Sequence, residues 1–204
     1  MRIRVALLLV AVLSGVAACS SKSAVSTSTT STSGRPSTSG QASTSTCGTT
    51  TTAPQDNNGN EVSPPGDIPD NQAFVAYSPP SGSYTVKVPE GWARTESADA
   101  VTFSDKFNSI RVEVVQTVPA PTGTCVDMVK TSTVTRKGGQ ALLTTYQADS
   151  RPDPVTGKVV RQDVERYAFT RPGSSDTAVL TLAGAAGSDN VDPWKIVTDS
   201  FAWR

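Results

Sequence analysis

The chain has 204 residues, 18 Lys and Arg against 18 Asp and Glu, and no histidine. Ser-His-Asp and Cys-His catalysis and every His-ligated metal centre are therefore excluded, because imidazole is the usual base and metal ligand near neutral pH. The balanced charge contains no Lys/Arg run, so nucleic acid is not an expected partner, and no pattern calls for a cofactor or a metal.

Arg2 and Arg4 open the chain, residues 5–12 are apolar, and Gly15-Val16-Ala17-Ala18 leads to Cys19. This is the layout of a secretory signal peptide with an apolar centre too short to span a bilayer. Loss of Arg2 and Arg4 leaves 16 basic and 18 acidic side chains, a net charge near −2. From residue 20 to 53, 22 of 34 residues are Ser or Thr, and the only apolar pair is Ala24-Val25. Such a stretch buries too little apolar surface to offset its ordering entropy. Residues 20–70 are expected to be a disordered tether, which as a coil of about 50 residues spans roughly 40 Å. Its Ser/Thr tract is a candidate for O-glycosylation, beside the plainer reading of an unmodified linker.

The folded unit is expected over residues 71–204, the size of one domain. Residues 74–78 and 83–88 read as two strands around Pro79-Pro80-Ser81-Gly82, with Tyr84, Val86 and Val88 on one face. Pro89-Glu90-Gly91 breaks the second strand before Trp92. Residues 100–104 and 109–117 form a predicted hairpin. Thr122 or Thr124 is placed to cap a helix over 125–136, closed by Gly138-Gly139. Residues 140–149 and 158–170 alternate as long strands around the turn Pro152-Asp153-Pro154-Val155-Thr156-Gly157. The apolar density of 177–183 predicts a central strand. Last, Asp192 precedes Pro193 at a helix start, and Trp194, Val197 and Phe201 share one face. The expected class is α+β: a single domain with helices packed on an antiparallel sheet.

Two resemblances add to this reading. Val16-Ala17-Ala18-Cys19 resembles the lipobox of bacterial lipoproteins, which implies cleavage before Cys19 and a diacylglyceryl group on its thiol. The chain would then divide into a signal peptide (1–18), a lipidated cysteine with its linker (19–70) and a domain (71–204). Val88-Pro89-Glu90-Gly91-Trp92, Val101-Thr102-Phe103-Ser104-Asp105 and the stretch from Asp192 to Phe201 resemble the PsbP/Mog1-like domain of actinobacterial, mycobacterial-type envelope lipoproteins. That resemblance implies an α/β/α sandwich with a non-enzymatic binding or accessory role. It offers no family active site to carry across.

Cys47 and Cys125 remain once Cys19 is lipidated, an even count in an oxidising compartment. They are either a disulfide or a free thiol and a buried small hydrophobe. Trp92, Trp194 and Trp203 are candidate ligand aromatics. Core packing is the better reading of Trp194, and Trp92 after its turn is the one to test for ligand contact. Asp149, Asp153, Asp163 and Glu165 are the carboxylates that a glycoside hydrolase would need, with solvated surface charge the favoured alternative. Gly184-Ala185-Ala186-Gly187-Ser188 lacks the Lys of a phosphate loop and reads as a plain connection.

The expectation is a lipid-anchored protein on the extracytoplasmic face of the cell membrane, held by acyl chains on Cys19. It would bind an envelope glycolipid, a wall polymer or a partner protein without catalysis. The alternatives are a lipid or glycolipid carrier with an apolar cavity, and a carboxylate-dependent hydrolase of wall sugars.

Overall fold

The computed structural model describes residue 47, residues 66–153 and residues 155–204. The segment expected to be a signal peptide, Cys19, and the Ser/Thr tract apart from Cys47 lie outside the described residues. Ten strands and one helix follow in chain order: β1 (Phe74–Tyr77), β2 (Tyr84–Pro89), β3 (Ala93–Ser97), β4 (Ala100–Asp105), β5 (Asn108–Val115), β6 (Thr124–Arg136), β7 (Gly139–Asp149), β8 (Arg161–Thr170), β9 (Thr177–Ala185), α1 (Val191–Ser200) and β10 (Ala202–Trp203). The strands pair antiparallel in a seven-stranded sheet, β3-β4-β5-β9-β8-β7-β6, and a three-stranded sheet, β1-β2-β10. The expected centrality of 177–183 matches β9, which stands fourth in the larger sheet.

One face of the large sheet carries the main core. Alternation sends Ile110, Val112, Leu180, Leu182, Tyr167 and Phe169 to that face, where Tyr84, Val86 and Val88 of β2 and Trp194, Val197 and Phe201 at the chain's end meet them. Phe201 stacks on Phe169 at 4.7 Å, meets Tyr84 at 5.8 Å and stands edge-on to Trp203 at 5.4 Å. These contacts lock the small sheet and the helix end onto the large sheet.

The opposite face holds a smaller cluster of Tyr146, Ala148, Val164 and Ala183. Residues 116–123 cross it on their way from β5 to the far edge at β6. Pro119 O accepts from Arg166 Nη1 at 3.0 Å, and a Cβ on Gly123 would sit 3.0 Å from Ala148 Cβ.

Three expectations change. The helix expected over 125–136 is strand β6. Seven of its thirteen residues (Thr124, Val126, Val129, Thr131, Thr133, Val134 and Thr135) are β-branched, which disfavours a helix and suits a pleated edge. Lys137-Gly138 is the turn of a hairpin, with Arg136 facing Gly139, and not a helix cap. The described residues form mostly antiparallel sheet with one helix, so the second helical layer of the expected α/β/α sandwich is not among them, and irregular chain crosses that face.

The boundary at 70/71 also moves. Ile68 is buried, its N–H donates to Asn190 Oδ1 at 2.8 Å, and Gly66 O accepts from Asn108 Nδ2 at 2.8 Å and from Asn190 Nδ2 at 3.2 Å. Residues 66–70 therefore belong to the folded unit. Asn190, not Asp192, occupies the helix N-cap position, and its side chain serves this network in place of a cap bond. Gly184 lies beneath it, where a Cβ would come within 2.6 Å of Asn190 Nδ2 and 2.8 Å of Asn108 Oδ1. The stretch after it is a plain connection into α1.

Candidate functional site

The strands β7 and β8 extend beyond the cover laid on them. On the core face, Ala141 and Leu143 of β7 and Tyr167 and Phe169 of β8 lie under that cover. Further along the same face, Thr145 and Gln147 of β7 and Asp163 and Glu165 of β8 line a half-open cleft of about 310 Å³. Its other walls are Met128 and Lys130 from β6 and Val191 and Trp194 from α1. One cation, two carboxylates, an amide and an aromatic thus converge from four elements.

Hydrogen bonds fix these groups. Asp163 accepts from Gln147 Nε2 at 2.7 Å and from the Gly187 N–H at 3.1 Å, tying strand β7 to the connection before α1. Glu165 accepts from the Tyr167 hydroxyl at 2.7 Å, and that hydroxyl accepts from Arg136 Nη2 at 2.7 Å. The Arg136 guanidinium also lies 5.0 Å from the Tyr167 ring centre. Burial, with the hydrogen bond to Glu165 adding to it and Arg136 opposing, pushes the Tyr167 phenol up to about 12. Trp194 is 7% exposed, and its indole N–H is buried without an acceptor, a state that costs about 1–3 kcal/mol.

The β6 wall departs from regular strand. Its register shifts between Thr124 and Asp127 and again between Asp127 and Lys130, and Cys125 and Met128 take φ values of 55° and 52°. Arg161, whose side chain is 8% exposed, supports it from beneath. Arg161 Nη1 donates to Cys125 O at 2.7 Å and to Asp149 Oδ1 at 3.1 Å, Nη2 pairs with Asp127, and Nε donates to Gln147 Oε1 at 3.4 Å. Cys125 is also bonded to Cys47, with Cα atoms 5.4 Å apart and a sequence separation of 78. Cys47 therefore joins an edge strand and not the helix expected there.

The residues singled out from sequence separate into groups. Asp163 and Glu165 share the cleft wall. Asp149, together with Asp127, pairs with Arg161. Asp153 accepts from the N–H groups of Val155 and Thr156 and from the Thr156 hydroxyl, bonds that hold its carboxyl below its usual range. Trp92 is half-buried, packs against the main core and does not line the cleft. The Trp203 ring lies under the Arg171 guanidinium at 5.0 Å. Lys130, Gln147, Arg161 and Tyr167 were not singled out. Gln147 alone leaves a trace in the sequence: the inward alternation of β7 and β8 turns from apolar to polar at Thr145-x-Gln147 and Asp163-x-Glu165. A larger crevice of about 760 Å³, near Lys137, Leu142 and Trp203, has fewer converging polar side chains. Among the described residues no three Cys, Asp or Glu side chains cluster as metal ligands, and no helix is long and apolar enough to cross a membrane.

No protein-family model matches the chain. No curated protein matches it either. Among solved structures it is similar to a protein of Bacteroides thetaiotaomicron VPI-5482, at 10% identity and a TM-score of 0.44, over 63% of this chain and 48% of that one. The chain thus spans about half the length of the Bacteroides protein. It is also similar to the Saccharomyces cerevisiae Ran-binding protein Mog1p, at 10% identity and a TM-score of 0.43, over 65% of this chain and 96% of Mog1p.

Proposed function

We propose that this protein is a lipid-anchored lipoprotein of the extracytoplasmic membrane face, whose PsbP/Mog1-like domain binds an envelope component in the cleft between α1 and β6–β8 without catalysis. The observation that carries the binding reading is the convergence of Lys130, Gln147, Asp163, Glu165 and Trp194 in one recess. A hydroxyl-rich ligand, such as a wall-polymer segment or a glycolipid head group, matches donors and acceptors of this kind. The Cys47–Cys125 bond supports an oxidising compartment. It also leaves Cys19 as the one cysteine of three outside the pair, in the position where the lipobox resemblance puts the acyl group.

Titration of wall-glycan fragments into the labelled domain tests the binding reading. The expected result is saturable shifts at Lys130, Gln147 and Trp194 that Gln147→Ala weakens; shifts confined to other surfaces overturn it.

The two alternatives meet specific obstacles. An acyl-chain carrier needs an unfilled interior, but Leu180, Leu182 and Val197 are fully buried and Phe201 stacks in their midst. Lipid recovered from purified protein at one equivalent would reverse this preference. A hydrolase needs one carboxyl free for the proton and another for water or sugar. Here Asp163 accepts through both of its oxygens and Glu165 through Oε2, which leaves a single carboxylate oxygen of the pair uncommitted among the described residues. Polysaccharide turnover lost in Asp163→Asn or Glu165→Gln would restore the catalytic reading.

A further inference from the structure

The β6 wall of the cleft is held by very little of its own ladder. From Lys130 to Arg136 the pairing with β7 is continuous, but from Thr124 to Lys130 only Thr124, Asp127 and Lys130 find partners. Cys125 and Met128 hold left-handed backbone conformations that side chains other than glycine rarely adopt. Among the described residues β6 is an edge strand, with no strand paired on its outer side. What fixes this stretch is the Arg161 guanidinium beneath it, the packing of Val126 on the smaller cluster, and the bond from Cys125 to Cys47.

We propose that the Cys47–Cys125 disulfide latches this wall, so that its oxidation state regulates access to the cleft. The proposal rests on the reading of the cleft as the binding site. Contact between the two is continuous. Arg161 grips the carbonyl of Cys125 and, through Nε, Gln147; Gln147 in turn donates to Asp163 on the cleft wall. Met128 and Lys130, three and five positions beyond Cys125, are themselves wall residues. Cutting the bond removes one of the few restraints on a strained bulge next to two cleft side chains, Met128 and Lys130.

The opening step is thiol–disulfide exchange with an envelope dithiol. A thiolate attacks one Sγ, the S–S bond breaks to a mixed disulfide, and the second thiol resolves it. Two electrons and two protons end on Cys47 and Cys125, and the dithiol becomes a disulfide.

Amide hydrogen exchange on the full chain tests this without a ligand. Three states are compared: oxidised, reduced with a phosphine, and Cys47→Ser. Local opening of a stretch untied at one end raises its exchange, here by about tenfold or more over 125–130, while 131–136 and β8 stay unchanged. Unchanged exchange over 125–130 in both the reduced protein and Cys47→Ser overturns the latch. Uniform acceleration across the whole sheet also overturns it, by making the bond a general brace. Arg161→Gln, which keeps the disulfide, is expected to raise the same stretch less. A latch that opens beside a cleft binding no glycan sinks the binding reading alone.

Discussion

Phe201→Ala probes whether the interior between helix and sheet is close-packed, on which the rejection of a carrier depends. Phe201 is 1% exposed and touches three aromatic rings, Phe169, Tyr84 and Trp203. Truncating a buried Phe to Ala costs about 3–5 kcal/mol, the lost transfer energy plus the cavity left behind. Each lost aromatic pair is worth about 0.5–1.5 kcal/mol beyond area. These terms overlap, and the position at the junction of α1 and β10 limits collapse, so about 4–5 kcal/mol is expected. For a unit of this size that lowers Tm by roughly 10–20 °C. Urea unfolding at constant slope, with the disulfide intact, measures it, and Phe201→Leu should lose less. A loss below about 1.5 kcal/mol would mean that the surroundings close over the gap or were never tightly packed. The case against an apolar cavity would then fail.

Gly138→Ala tests the seating of the β6–β7 turn on the end of α1. Its Cβ would fall 2.3 Å from the backbone oxygen of Phe201, and overpacking against backbone costs about 3 kcal/mol, at the upper end of such effects; wild-type stability would refute that contact. A protease site placed between residues 48 and 65 should, after cleavage, leave two pieces that run together until reductant separates them, because Cys47 remains bonded to Cys125. Immediate separation without reductant contradicts the pairing. At alkaline pH, the burial that raises the Tyr167 phenol from 10.0 to about 12 keeps it protonated in the fold while the unfolded chain ionises. That stabilisation is fully present below pH 10 and is lost as pH rises through about 12. Tyr77, Tyr84 and Tyr146 are raised by burial in the same sense. Denaturation midpoints between pH 9 and 11.5 should fall less steeply in Tyr167→Phe, and equal slopes would refute the assignment.

Much of the sheet was legible because period-2 alternation is local. The positions of β2, β4, β5, β7, β8 and β9 follow from it, and α1 follows from the spacing of Trp194, Val197 and Phe201. β3 was missed because Ala93-Arg94-Thr95-Glu96-Ser97 is exposed throughout and shows no apolar face. β6 was misread for a related reason. An exposed edge carries no alternating signal, and capping residues at Thr124 and Gly138-Gly139 outweighed its β-branched content. The cleft was only half legible: Asp163 and Glu165 stand out in the sequence as carboxylates, but Gln147, which donates to Asp163, lies on another strand, and Tyr167, which donates to Glu165, reads as a core aromatic. Only the pairing of β7 with β8 brings Gln147 opposite Asp163. The place of Gly66 and Ile68 in the fold was hidden for the same reason, since their partners Asn108 and Asn190 lie 42 and 122 positions away in sequence.

The most direct test of a lipid-anchored, oxidised binding protein is the intact mass of full-length chain recovered from membranes of a lipoprotein-processing host. The account predicts a polypeptide beginning at Cys19, heavier by an acylated glyceryl group, that gains the mass of two hydrogens on reduction. A chain that retains residues 1–18, or starts at an unmodified Cys19, would contradict it.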